Sequence, residues 1–104
     1  MLVLPAMASR RLSNQIGRAF RGTYGAEAGL RMLMCDTARQ LLAHGATPHS
    51  VERALEHCVL GHPDRPAGAI KPMSDAVDSA TLVRLTRKCV ADVARELGEY
   101  GIRP

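Results

Sequence analysis

Four arginines, Arg10, Arg11, Arg18 and Arg21, stand within the first 26 residues with no Asp or Glu among them. Guanidinium groups grouped in this way suit one kind of chemistry: forked, charge-assisted hydrogen bonds to phosphate or carboxylate oxygens. The whole chain holds 14 Lys and Arg against 10 Asp and Glu. With those four arginines set aside, residues 27–104 carry equal numbers of cations and anions. The excess charge is thus a leader on a charge-neutral body, the pattern of an arm that meets something negative.

The other residues with reactive side chains argue against catalysis and metal binding. Cys58 and His62 are four apart, with His57 beside them and His44 and His49 one hairpin away. Four such ligands would suit zinc, but no CxxC or HxxxH pair is present. Gly61 and Pro63 end the helix before His62 completes a shared face, and Cys58 belongs to an apolar stripe. Buried cysteines and solvated histidines are the expectation, with no metal. Cys35 would act as a nucleophile only beside a distant His. Asp75 and Asp78 fall in the first turn of a helix, where carboxylates complement its dipole. No Gly-rich loop cradles a phosphate; the glycines punctuate helix ends. The chain reads as a non-enzyme without a cofactor.

One segment has a recognisable form. Gly45-Ala46-Thr47-Pro48-His49-Ser50-Val51-Glu52-Arg53-Ala54-Leu55 resembles the turn and second helix of helix-turn-helix repressors. In that motif the Gly turns the chain, a Ser or Thr caps the reading helix, and Val and Leu fix it against its predecessor. The resemblance implies a small DNA-binding regulator, with the motif over residues 38–58 and the basic arm on phosphates. An ordinary αα-hairpin uses the same Gly, cap and apolar phase. Glu52 and Glu56 on the reading helix would also repel phosphate.

These groups need elements to hold them, and the apolar periodicity supplies four helices. Over 9–21, Leu12, Ile16, Ala19 and Phe20 share a sector about 100° wide, with the four arginines opposite. Arg21–Gly25 is a turn. Over 26–44 the stripe is Leu30, Leu33, Met34, Thr37, Ala38 and Leu41, and Gly45 closes it. Thr47 as cap and Pro48 at the first position open a helix over 48–60, carrying Val51, Ala54, Leu55, Cys58 and Val59. Residues 61–74 form a connector with Pro63, Pro66 and Pro72. A last helix, capped by Ser74, spans 75–97 on Leu82, Leu85, Cys89, Val93 and Leu97, with Gly98 and Gly101 closing it. Arg84, Arg87, Lys88 and Arg95 on it mix with Asp92 and Glu96 as a solvated surface.

The fold class is therefore all-α, a small bundle of about four helices. Residues 1–25 form a basic amphipathic arm, and 26–104 a helical body within one domain. Five Met and only three aromatic residues suit helix-on-helix packing better than a β-sandwich. Three cysteines cannot all pair within one chain, so reduced thiols and a cytoplasmic location are expected. No apolar run approaches the roughly 20 residues of a membrane helix. The opening residues lack the order of a secretory signal, although the Arg-rich, acid-free segment has the look of a mitochondrial presequence.

The functional expectation is a protein-interaction or regulatory module: an adaptor, inhibitor or self-associating subunit. In it Leu12, Ile16 and Phe20 lie in a partner's groove. Arg10, Arg11, Arg18 and Arg21 are the candidate phosphate contacts if the partner is nucleic acid. The last helix offers a dimer seam for self-association.

Overall fold

A computed structural model describes residues 2–65 and 77–99 of the chain. It is all-helical, with four helices in the described residues: α1 (Ala6–Phe20), α2 (Ala26–Ala43), α3 (Pro48–Leu60) and α4 (Ser79–Glu99). The expected cap Ser74, Asp75 and Gly101 lie outside the described residues, as does the connector beyond Arg65. The expected bounds 75–97 are corrected, since α4 begins only at Ser79 and Gly98 lies within it.

Each boundary has a local cause. Pro5 stands at the N-cap of α1, so the helix begins three residues earlier than the expected Ser9. A proline just before or at the first helical position loses no bond, because its missing N–H would have had no partner there. At the end of α2, Ala46 N–H reaches Leu41 O (3.0 Å) and Gly45 N–H reaches Leu42 O (3.1 Å). This is a Schellman closure, and it needs the positive φ of 97° that Gly45 adopts. The Thr47 hydroxyl accepts the Ser50 N–H at 3.1 Å and Pro48 holds the first position of α3, as the spacing predicts. For α4, Asp78 Oδ1 accepts the Thr81 N–H at 2.7 Å. The hydrogen bonds from Thr81 hold the Asp78 carboxyl below its ordinary range.

The central pair is α2 with α4; α1 lies on α2, α3 lies on α4, and α1 and α3 meet along a thinner seam. Cys89 Sγ donates to Arg31 O (3.7 Å), and Arg39 Nε donates to Glu96 Oε2 (3.0 Å). Arg39 is two turns beyond Arg31, and Glu96 two turns beyond Cys89, so α2 and α4 run parallel. Burial of Leu30, Met34, Ala38 and Leu42 from α2 against Leu82, Cys89, Val90, Val93 and Leu97 from α4 holds the pair. Thr86 is fully buried and satisfied by donating to Leu82 O at 3.0 Å, with Met34 Sδ beside it at 3.6 Å.

The N-terminal helix is part of this core. Leu12 and Ile16 are 0% exposed and Phe20 6% exposed, within the same cluster as Leu30, Val51 and Leu55. The expectation that these three lie in a partner's groove is corrected on this point. The face an isolated arm would offer outward is covered by the chain's own α2 and α3, because the neutral body presents a complementary apolar surface.

Candidate binding surface

With its apolar side turned inward, α1 presents the opposite side to solvent. Arg10, Arg11 and Arg18 are exposed there. Among the described residues none of the three makes an ion pair. The fourth arginine behaves differently. Arg21 Nη1 donates to Asp64 Oδ2 at 2.6 Å, so one of the four expected phosphate contacts is already engaged with the chain's own carboxylate.

That contact belongs to a clip formed by the segment after α3. His62 Nε2 donates to Ser13 O on α1 at 2.8 Å, while its Nδ1 accepts the Asp64 N–H at 3.0 Å. The two partners fix the tautomer, since a backbone carbonyl only accepts and an N–H only donates. The imidazole also meets the Phe20 ring edge-on, with centroids 5.9 Å apart. Gly17 lies directly beneath: a Cβ there would sit 2.9 Å from Arg21 Nη1 and 3.1 Å from His62 Cε1. A larger residue would hold the clip away from α1.

The structure rearranges the charges of the proposed reading helix. Glu56 Oε1 accepts from Arg87 Nε at 2.9 Å, and Glu52 Oε1 lies 3.5 Å from the same nitrogen. Both carboxylates therefore turn toward α4, where the Arg87 guanidinium is held charged above its ordinary range, chiefly by the Glu56 hydrogen bond. Along its length α3 shows His49, Arg53 and His57 to solvent, with Leu60 exposed at its end. Sequence reasoning expects solvated histidines here but not their grouping with Arg53 as the outward face of the helix. The signal was present in the phase of Val51, Leu55 and Val59, which places those three on the far side of the helix.

Beside them runs a groove of about 750 Å³, bounded by Leu2, Leu4 and Ser9 on one side and by Arg53, His57 and Cys58 of α3 on the other. Burial pushes the Cys58 thiol up from its ordinary pKa. Cys58 and His62 do not converge on a common point, since His62 is engaged with Ser13 and Asp64. Among the described residues no three His, Cys, Asp or Glu side chains are arranged to hold a metal, and no helix is long and apolar enough to cross a membrane. A second concavity, of about 610 Å³, lies between the α1–α2 turn and α4, where Tyr24 is 98% exposed beside Arg31 and Lys88.

Comparison with protein-family models, with curated proteins and with solved structures finds no match to this chain.

Proposed function

We propose that this chain is a non-enzymatic regulatory module that works by binding, and that its contact surface is the arginine face of α1. The observation that carries this reading is the contrast along one helix. Leu12, Ile16 and Phe20 are covered by the chain itself, while Arg10, Arg11 and Arg18 stand in solvent with no carboxylate partner among the described residues. A partner for that face is anionic. Arginine rather than lysine at every cationic position of α1 favours forked contacts to phosphate, and a nucleic-acid backbone is the partner that fits best. The turning of Glu52 and Glu56 toward Arg87 supports the same partner, because it relieves the repulsion that the α3 carboxylates would otherwise exert. Binding of this kind is weak and indifferent to base sequence.

Anisotropy of labelled duplex and single-stranded oligonucleotides, titrated with the full chain across a salt series, tests the proposal. Three phosphate contacts give a log–log salt slope of about −2.7 on duplex DNA, so affinity falls about 40-fold between 50 and 200 mM salt. Changing Arg10, Arg11 and Arg18 together to Ala abolishes retention. Changing Arg21 to Ala leaves the slope in place, because that side chain already serves Asp64. If neither form of DNA binds at low salt, the nucleic-acid reading is wrong. Binding of a polyglutamate peptide but not of DNA would transfer the same surface to an acidic protein partner.

A further inference from the structure

Two of the three cysteines are brought together by the fold. Cys35 belongs to α2 and Cys89 to α4, the helices of the central pair. The parallel register is fixed on either side of them. Arg31, one turn before Cys35, receives the Cys89 thiol on its carbonyl oxygen, and Arg39, one turn after, is paired with Glu96. Cys35 is thereby held beside Cys89, close enough for its thiol to help keep that of Cys89 protonated. Their settings differ: Cys89 is buried at 2% exposure, whereas Cys35 is half-buried at the edge of the core. Cys58, on α3, faces the groove beside Leu2 and Leu4.

We propose that Cys35 and Cys89 form an oxidisable dithiol that a peroxide converts to a disulfide tying α2 to α4. The Cys35 sulfur attacks one peroxide oxygen; the O–O bond breaks, and with hydrogen peroxide the leaving hydroxide takes up a proton as water. The product is a sulfenic acid on Cys35, with the sulfur oxidised and the peroxide reduced. The Cys89 sulfur then forms the S–S bond, the S–O bond breaks, and the oxygen leaves as a second water carrying the Cys89 proton. In sum, two thiols and one hydrogen peroxide give one disulfide and two waters.

The order follows from access, since the oxidant reaches the half-buried sulfur and the enclosed one resolves the product. Burial foremost, and then the adjoining Cys35 thiol, keep Cys89 protonated well above the ordinary range. The second step is accordingly the slow one. A bond here joins two helices already paired in the core, so its product is a more stable fold rather than a new shape. The inference is independent of what the arginine face binds.

The test is treatment of the reduced full chain with a small excess of hydrogen peroxide. Free-thiol titration, intact mass and peptide mapping are then read on the product. The expected result is a monomer with one free thiol left and a mass lowered by two hydrogens. Mapping links Cys35 to Cys89, and the raised unfolding temperature returns to its starting value with dithiothreitol. Cys58→Ser retains the cross-link; Cys35→Ser and Cys89→Ala each lose it. If Cys89→Ala fails to fold, the mapped peptide from Cys58→Ser decides the matter. Three thiols persisting after peroxide, a stable sulfinic acid on Cys35 without a cross-link, or a dimer linked through Cys58 would each overturn the proposal.

Discussion

Replacing Ile16 with Ala measures whether α1 is a wall of the bundle or an arm resting upon it. Ile16 is 0% exposed and belongs to the same cluster as Leu30 and Leu55. The substitution removes three buried carbons, worth about 0.8 kcal/mol each in transfer, or about 2.4 kcal/mol together. The cavity left behind raises this within a range of about 2–5 kcal/mol. A domain of this size has about 5–15 kcal/mol of total stability, so the loss is a large fraction of it. With a urea slope of about 1.5–2 kcal/mol per molar, the midpoint falls by about 1–3 M. The assay is equilibrium urea unfolding followed by circular dichroism. Arg18→Ala on the same helix is the control, and as an exposed change it shifts stability by less than about 0.5 kcal/mol. If Ile16→Ala moves the midpoint no further than Arg18→Ala does, α1 contributes no core. The assignment of the arginine face as its only outward side then falls as well.

Two further outcomes are expected. Gly17→Ala would gain about 1 kcal/mol if helix propensity alone decided, but the new methyl group meets the His62 ring at 3.1 Å and Arg21 Nη1 at 2.9 Å. The Arg21 terminus can swing aside, whereas the ring is held at both nitrogens, so thermal unfolding shows no gain in stability. A rise of several degrees in Tm would show that the clip does not rest on α1. The second concerns alkaline pH. Burial, and then the neighbouring Cys35 thiol, raise the Cys89 pKa from 9.0 to about 12. The unfolded chain releases that proton near pH 9 while the folded chain keeps it. The contribution to stability is therefore complete below about pH 9 and is lost as the pH climbs toward 12, at up to about 1.4 kcal/mol per pH unit. Unfolding midpoints measured across that window fall less steeply for Cys89→Ala than for the parent chain; equal slopes would refute the burial argument.

Where a boundary rests on neighbours in sequence, the chain announces it. Thr47, Pro48 and Gly61 delimit α3 at the residues observed, because capping and closure use side chains within a few positions. Pro5 reads as a breaker in isolation, yet it opens α1, since the same ring that interrupts a helix is harmless before its first turn. Leu12, Ile16, Ala19 and Phe20 are all buried, as their phase predicts. Phase says that a stripe is covered, not by which chain, and here the cover is internal. Leu33, Leu41 and Leu85 are only partly buried, while Leu42 and Thr86 take fully buried places. The parallel α2–α4 register selects among neighbouring positions on one face. The pairing of Arg87 with Glu56, the engagement of Arg21 with Asp64 and the meeting of Cys35 with Cys89 join distant stretches of sequence. No local pattern carries them.

The order in which the molecule is assembled follows from the pairing of its second and fourth helices. Chain closure over a long separation is slow, whereas α1 and α2 are joined by a short turn and come together early. Until α4 arrives, Met34, Ala38 and Leu42 have no cover on that side. A chain lacking α4 would therefore display a sticky apolar flank, making the fourth helix the one on which solubility depends.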